Sequence, residues 1–285
     1  MNHKAKPKVR LPSGEQAQVV RKLIQSSQLH TVCQSARCPN IGECWSRRTA
    51  TFMIMGDVCT RNCRFCAVSS GKVGPLDAEE PKRVARAVES LGLKYVVVTS
   101  VTRDDLPDGG AWHFAETIRE IRSQQPECKI EVLIPDFKGD RNALDTVFAA
   151  QPDVLNHNLE TIERLYPQVR PQADYRQSLN LLAYAHEKGM TSKTGIMVGL
   201  GETRKEIDTL LQDVIDVNCR LLTVGQYLQP TVQHVPVDRY VPPQEFREIK
   251  KSGLFLGIKH IEAAPLVRSS YHADEQYKST RVNDD

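Results

Sequence analysis

The hydrophobic pattern of the chain changes at Thr51. Before it, apolar residues are sparse. Val19, Val20, Leu23 and Ile24 give one helical face, with Ser13 and Gln16 spaced as a capping box ahead of it. Residues 31–49 read as a polar loop containing Pro and Gly. From Thr51 onward, short apolar runs without alternation take turns with amphipathic segments. The runs lie at 51–56, 94–100, 129–135, 153–158, 192–199 and 221–225, with a shorter one at 259–262. Helical periodicity falls at 81–91, 111–123, 141–150, 177–188, from Thr203, and at 243–255. Val84, Ala87, Val88 and Leu91 share one face, and Gly92 stops that helix. Thr203 and Glu206 form a capping box, followed by Ile207, Leu210, Leu211 and Val214 on one face.

Strands without alternation, each followed by a helix, predict a parallel sheet covered by helices. Six or seven such units exclude a small fold. Right-handed crossovers leave a complete or partial barrel, or a doubly wound sheet. In each, the site lies at the carboxyl ends of the strands.

Composition narrows the class. The chain has 285 residues, 40% hydrophobic and 26% charged, enough for a sizeable core. A net charge of +3 lacks the broad basic excess of a nucleic-acid binder. The basic start has no apolar run behind it, and no apolar stretch approaches bilayer length. The expectation is a cytoplasmic protein with neither a nucleic-acid nor a membrane partner. The tail from Ala273 is polar and reads as mobile.

The cysteines add chemistry. Of eight, six fall between Cys33 and Cys66, while Cys128 and Cys219 stand alone and read as small buried hydrophobes. Clustered thiols in a reducing compartment predict metal or redox chemistry rather than disulfides. Cys59, Cys63 and Cys66 are spaced C-x3-C-x2-C directly after the first strand. Three thiolates on one tight loop can take three corners of a cubic 4Fe–4S cluster and leave one iron open. A structural zinc site normally takes four protein ligands. Cys33, Cys38 and Cys44, spaced C-x4-C-x5-C, form a second set of three. Their spacing suggests a second cluster, with its fourth ligand from elsewhere in the chain or from substrate. A zinc module and a non-catalytic iron–sulfur carrier are the other readings, although a carrier would ligate its clusters fully with cysteine.

The C-x3-C-x2-C loop resembles the signature of the radical S-adenosylmethionine superfamily, and Phe65 matches the aromatic residue usual before its third cysteine. CQSARCPNIGECW, GPLDAEEP, VTSVTRDDLPDGGA, LNHNLET, KTGIMVGLGE, VGQYLQP and VRSSYHA extend the likeness. Together they resemble the lipoyl synthase family from about residue 30 to about residue 275. Biotin synthases lack the CQSARCPNIGECW and RSSY pair. Methylthiotransferases acting on transfer RNA need further domains.

The resemblance implies a partial parallel (β/α)6 TIM-like barrel at 51–262. An N-terminal extension, 1–50, would carry the auxiliary-cluster cysteines, and a C-terminal extension, 263–285, the RSSY motif. It implies two 4Fe–4S clusters and S-adenosylmethionine, bound by its amino and carboxylate groups to the open iron on Cys59, Cys63 and Cys66. Radical chemistry would insert two sulfur atoms, at carbons 6 and 8, into an octanoyl chain on a lysine of a lipoyl carrier domain. The carriers would be 2-oxoacid dehydrogenase acyltransferase subunits and the glycine cleavage carrier, with a ferredoxin or flavodoxin as electron donor. The auxiliary cluster on Cys33, Cys38 and Cys44 would be the sulfur donor, with Ser270 as fourth ligand and Ser269 as the alternative.

Fold and resemblance together place Thr99, Ser100, Asn158, Glu160, Lys193, Met197 and Gly199 near S-adenosylmethionine. Arg37, Arg47 and Arg48 would steer an acidic carrier. His157 is read as either a site residue or an ordinary strand-end hydrogen-bonder. Arg103, Asp104 and Asp105 read as a solvated loop, and Arg268 as a residue pairing the tail to a carboxylate.

Overall fold

The computed structural model describes residues 15–47 and 49–281, so Ser13 and Arg48 lie outside the described residues. The main sheet has eight strands: β1 His30–Thr31, β2 Thr51–Ile54, β3 Tyr95–Ser100, β4 Lys129–Leu133, β5 Val154–Asn156, β6 Ser192–Val198, β7 Leu221–Gln226 and β8 His260–Ala263. They follow one another in chain order, and the sheet is mostly parallel. Every apolar run read as a strand forms one, including the short run that becomes β8.

The polar segment 31–49 departs from its loop prediction. β1 pairs antiparallel with β2. Short helices follow at Val32–Ser35 and Ile41–Ser46. The Thr31 hydroxyl accepts a hydrogen bond from the Gln34 N–H and caps the first of them. Segments this short leave no readable period. The tail departs too: Ala273–Arg281 is a helix, with Ala273, Gln276 and Tyr277 buried on one side. The i, i+3, i+4 spacing of those residues carries the helix, and Gln276 hides it from a hydropathy reading.

The chain divides into two compact units. One holds the described chain up to Asn62 together with Ala67–Asp153. Its strands are β1 to β4, and the helices Glu80–Leu91 and Ala111–Gln124 lie on them. Val84, Ala87, Val88 and Leu91 are buried as predicted, and Gly92 ends that helix in the left-handed region. The other unit holds Cys63–Cys66 and the chain from Val154 onward. Its strands are β5 to β8. Ile207, Leu210, Leu211 and Val214 of Arg204–Asp216 join Phe246, Ile249 and Ile261 in its core. The Thr203–Glu206 capping box is present. Among the described residues, no helix is long and apolar enough to cross a membrane.

Candidate cluster and cofactor sites

The first cysteine group is built on the two short helices after β1. Cys33 sits on Val32–Ser35 and Cys44 on Ile41–Ser46. The Cys38 N–H donates to the Cys33 carbonyl at 3.0 Å, which folds the intervening turn back on itself. Thr49 donates both its N–H and its hydroxyl to the Cys44 carbonyl, each at 2.9 Å. Burial, then the neighbouring Cys38, push the Cys33 thiol up to about 11. Burial, then Cys33 and Cys38, push Cys44 up to about 12. Three thiols are thus held close enough to oppose one another's ionisation. All are free. A bound cation cluster relieves that opposition, so the donor set fits iron–sulfur ligation. Arg37 and Arg47 are exposed at the ends of these turns.

The second group begins in the same unit with Cys59. Its sulfur accepts two backbone N–H groups, from Thr102 at 3.3 Å and Arg61 at 3.4 Å. The Thr60 hydroxyl donates to the Thr102 carbonyl and accepts from the Asp104 N–H. The Arg61 guanidinium forks onto Asp104 at 2.6 and 3.0 Å and onto Asp136 at 2.7 and 2.8 Å. Burial opposes its charge, but hydrogen bonds to Asp136 and Asp104 outweigh burial and raise its pKa. Arg103 corrects the solvated-loop reading: it is buried, paired with Asp105 at 2.8 Å and donating to the Gly74 carbonyl. Asp104 is likewise engaged, by Arg61. The pairing makes burial of these charges tolerable, and that is invisible in a run of charged letters.

Cys63–Cys66 belongs to the other unit. The Arg64 N–H donates to the Val169 carbonyl, and the Arg64 carbonyl accepts from the Val235 N–H. The His234 ring lies 2.9 Å from the Cys66 carbonyl through Nε2 and 2.8 Å from the Thr231 hydroxyl through Nδ1. Phe65 packs on the apolar core of this unit, as does Met197.

At the end of β5 the same unit gathers several predicted residues. The Asn158 amide donates to Glu160 at 3.1 Å and to Ser269 Oγ at 3.3 Å, while its own carbonyl oxygen is buried without a partner. Gly195 makes room for that side chain, because a Cβ there would lie 2.8 Å from Asn158 Oδ1 and 2.6 Å from Thr223 Oγ1. Glu160 holds a left-handed backbone, φ 65°, of the kind that concentrates at functional sites. Burial raises its carboxyl pKa against the opposing pull of Arg170, Asn158 and Arg268. Arg170 donates to the Asn158 and Leu159 carbonyls and to the Tyr166 hydroxyl. Where the C-terminal segment passes β7, Gly225 admits the Val267 carbonyl and the Arg268 guanidinium.

The remaining predicted residues lie in or beside the strands, with Lys193 near the amino-terminal end of β6 rather than at the carboxyl end expected for a site residue. Thr99 donates to the Leu133 carbonyl, and the buried Ser100 hydroxyl lacks a partner. Lys193 is wholly buried within β6. Gly199, φ 93°, donates its N–H to Glu202, and Gln226 and the Arg239 carbonyl fill the space beside its α-carbon. His157 makes an ordinary buried bond to Ser178 at 3.0 Å. Arg268 donates to the Val267 carbonyl as well as acting on Glu160. Cys128 and Cys219 are buried, and burial pushes their thiols up to about 11 and about 12. The unpartnered side-chain carbonyl of Asn158 suits a ligand that brings a hydrogen-bond donor, as the amino and hydroxyl groups of S-adenosylmethionine do. The sequence reading missed Arg61, Arg170 and His234. Arg61 had a signal, a cation inside a cysteine loop; His234 had none.

A parallel α/β sheet with a three-cysteine loop after β2 defines a radical S-adenosylmethionine protein. The radical SAM superfamily profile matches residues 53–214, more than half of the chain, which therefore belongs to that superfamily. Solved structures share the fold. One is Streptococcus suis SuiB bound to S-adenosylmethionine, with TM-score 0.59, 11% identity, and coverage of 79% of this chain and 54% of that one. Methylornithine synthase gives TM-score 0.52 and 16% identity, covering 80% of this chain and 65% of that one.

Closer relatives specify the family. Lipoyl synthase of Rubrobacter xylanophilus is 56% identical over 276 residues, covering 96% of this chain and 86% of the relative. Lipoyl synthase of Caldanaerobacter subterraneus subsp. tengcongensis is 56% identical over 269 residues, 94% of each. The chain belongs to the lipoyl synthase family, whose radical SAM enzymes use S-adenosylmethionine and 4Fe–4S iron–sulfur chemistry.

Proposed function

We propose that the protein inserts two sulfur atoms, at carbons 6 and 8, into an octanoyl chain carried on a lysine of a lipoyl carrier domain. The observation that carries this reading is 56% identity to a lipoyl synthase across 96% of the chain. When bound, S-adenosylmethionine on one reduced 4Fe–4S cluster supplies a 5′-deoxyadenosyl radical, and a second 4Fe–4S cluster supplies sulfur.

The chain's own residues then have separate tasks. Cys59, Cys63 and Cys66 hold the first cluster and leave one iron for the cofactor. Cys33, Cys38 and Cys44 hold the second, with Ser270 as fourth ligand. An oxygen ligand is a poorer match for iron–sulfur than thiolate and leaves more readily. The Asn158 carbonyl accepts from the cofactor, and Glu160 takes its amino or ribose groups. Ser100 and Thr99 line the end of β3. Met197 and Gly199 bound the adenine side, and Phe65 backs the cluster loop. In this reading residues 1–50 and 263–285 are extensions carrying the auxiliary ligands, flanking a barrel at 51–262. The enzyme acts in the cytoplasm on 2-oxoacid dehydrogenase and glycine cleavage carriers, with a ferredoxin or flavodoxin as electron donor.

The test is anaerobic incubation of the reconstituted protein with S-adenosylmethionine, reductant and an octanoyl-lysine peptide. The expected products are 5′-deoxyadenosine and a peptide carrying two added sulfur atoms. Cofactor cleavage with no sulfur in the peptide would overturn the substrate reading and leave the superfamily intact.

A further inference from the structure

We propose that Arg61 is a positioning residue that sets the reduction potential of the cluster Cys59 helps to hold. Clamped between Asp104 and Asp136, it keeps the Arg61 and Thr102 N–H groups on the Cys59 sulfur. The inference rests on Cys59 being a cluster ligand, as proposed above.

The Cys59 sulfur accepts two amide hydrogens, at 3.3 and 3.4 Å. Neither is secured by regular secondary structure, since Arg61 and Thr102 both lie in loops after strands. What joins the loops is one backbone bond and several side-chain bonds. The Thr60 N–H and hydroxyl both reach the Thr102 carbonyl, at 3.0 and 2.9 Å. The Asp104 N–H returns to the Thr60 hydroxyl at 3.0 Å. Arg61 closes the arrangement with four charge-assisted bonds, two to each carboxylate.

The protein accepts strain to present Asp136. Phe137 and Lys138, both non-glycine, follow it with φ of 45° and 53°. Asp136 Oδ1 accepts the Lys138 N–H, and Lys138 Nζ donates to the Asp104 carbonyl at 3.0 Å. Asp136 is itself fully buried. A buried cation with two buried or half-buried anions, held at the end of a strained turn, is more than a surface ion pair needs.

Amide hydrogens on a cluster thiolate stabilise the electron-rich reduced state more than the oxidised one, and so raise the potential. Loosening the clamp lowers it. This direction separates positioning from a simple field effect. Removing a carboxylate charge would by itself raise the potential, and exchanging one cation for another would leave it unchanged.

The experiment uses the full chain with Cys33, Cys38 and Cys44 changed to Ala, so that one cluster remains. Arg61→Lys, Asp136→Asn and Asp104→Asn are made in that parent. Iron and sulfide content are measured, and redox titration is followed by electron paramagnetic resonance. The expected result is a more negative midpoint for Arg61→Lys and Asp136→Asn, with a smaller shift of the same sign for Asp104→Asn. An unchanged midpoint in Arg61→Lys, or a more positive one in Asp136→Asn, overturns the inference. Should Arg61→Lys fail to keep its cluster, Asp104→Asn decides, since the Asp136 fork survives in it. A parental or more positive midpoint there is equally fatal. A parent chain that binds no cluster would instead overturn the ligand role of Cys59.

Discussion

The two three-cysteine groups are held by different kinds of structure. Cys33 and Cys44 ride on single helical turns and Cys38 lies between them, all joined by local backbone bonds, with Thr31 and Thr49 as fasteners. Cys59 ends a two-residue strand paired with Ser69–Ser70, and the backbone N–H groups on its sulfur are braced by a buried guanidinium with two carboxylates from loops far away in sequence. Cys63–Cys66 is tied by the His234 ring and by backbone bonds to Val169 and Val235. The first scaffold is held mainly by short-range bonds, although it adjoins the sheet, since Thr31 pairs with Phe52 of β2 and the Cys33 thiol bonds to the Thr51 backbone. The second is anchored on strand ends. On the reading above, the group that gives up its cluster has the local scaffold, and the group that must survive each turnover has the braced one.

Removing one ligand from each group separates their tasks. Cys63→Ala is expected to abolish 5′-deoxyadenosine formation altogether. Cys33→Ala is expected to retain it while losing sulfur insertion. Both products are measured in one anaerobic assay by mass spectrometry. If Cys33→Ala also stopped cofactor cleavage, the two groups would not have separate tasks.

Two adjacent serines sharpen it further. Ser270→Ala should lower sulfurated product tenfold or more while cofactor cleavage continues, by analogy with losses at metal-site supports of roughly 10–100-fold. Ser269→Ala removes a hydroxyl bonded to Asn158. A lost neutral hydrogen bond of about 1 kcal/mol corresponds to about fivefold weaker S-adenosylmethionine binding, with auxiliary iron unchanged. Equilibrium binding and iron content distinguish them. Exchanged phenotypes would move the ligand role to Ser269.

Alkaline pH probes the first group against a background of other buried thiols, Cys128 and Cys219. Burial and neighbouring thiols raise Cys33 and Cys44 from 9.0 to about 11 and about 12. A raised folded pKa means the stabilising protonated form is complete below pH about 9 and is lost as pH rises toward those values. Iron-free protein should therefore lose stability above pH about 9. Cys33→Ala with Cys44→Ala should flatten that slope in denaturant titrations. An unchanged slope would place the alkaline sensitivity elsewhere, as at the buried Cys219.

Much of the fold was legible because the strands of a helix-covered parallel sheet are apolar throughout and their helices are amphipathic. Every predicted strand run formed, and the Thr203–Glu206 box formed as read. The helical turns at Val32–Ser35 and Ile41–Ser46 were not legible, since four to six residues carry no period. The helix at Ala273–Arg281 hid because Gln276 occupies its buried face. For the site, spacing exposed the six clustered cysteines, but their supports stayed hidden. Arg103 looked like solvated charge and Arg61 drew no reading, because the letters do not show that Arg103 pairs with Asp105 or that Arg61 meets Asp104 and Asp136. Hydrophobic pattern reports what is buried for being apolar; it is silent on what is buried for being paired.

The smallest predicted effect tests the scaffold difference through two threonines, each beside a cysteine scaffold. Thr31 caps the turn that carries Cys33 through one long bond of 3.4 Å from the Gln34 N–H. Thr31→Val should reduce stability by about 1 kcal/mol, the usual worth of a cap. Because the turn is local, that loss should appear mainly as weaker iron retention by the first group, with the cluster on Cys59, Cys63 and Cys66 unaffected. Thr60 instead joins two loops, donating to the Thr102 carbonyl and accepting from the Asp104 N–H. Thr60→Val leaves the Asp104 N–H without its acceptor and takes one of two bonds from the Thr102 carbonyl, which keeps the Thr60 N–H, so its cost should exceed that of Thr31→Val, and iron should be lost from the second group. Chemical denaturation and iron content of each variant give both readouts. Equal iron loss from both groups in either variant would mean the scaffolds are coupled, and the contrast between a local and a braced support would fail.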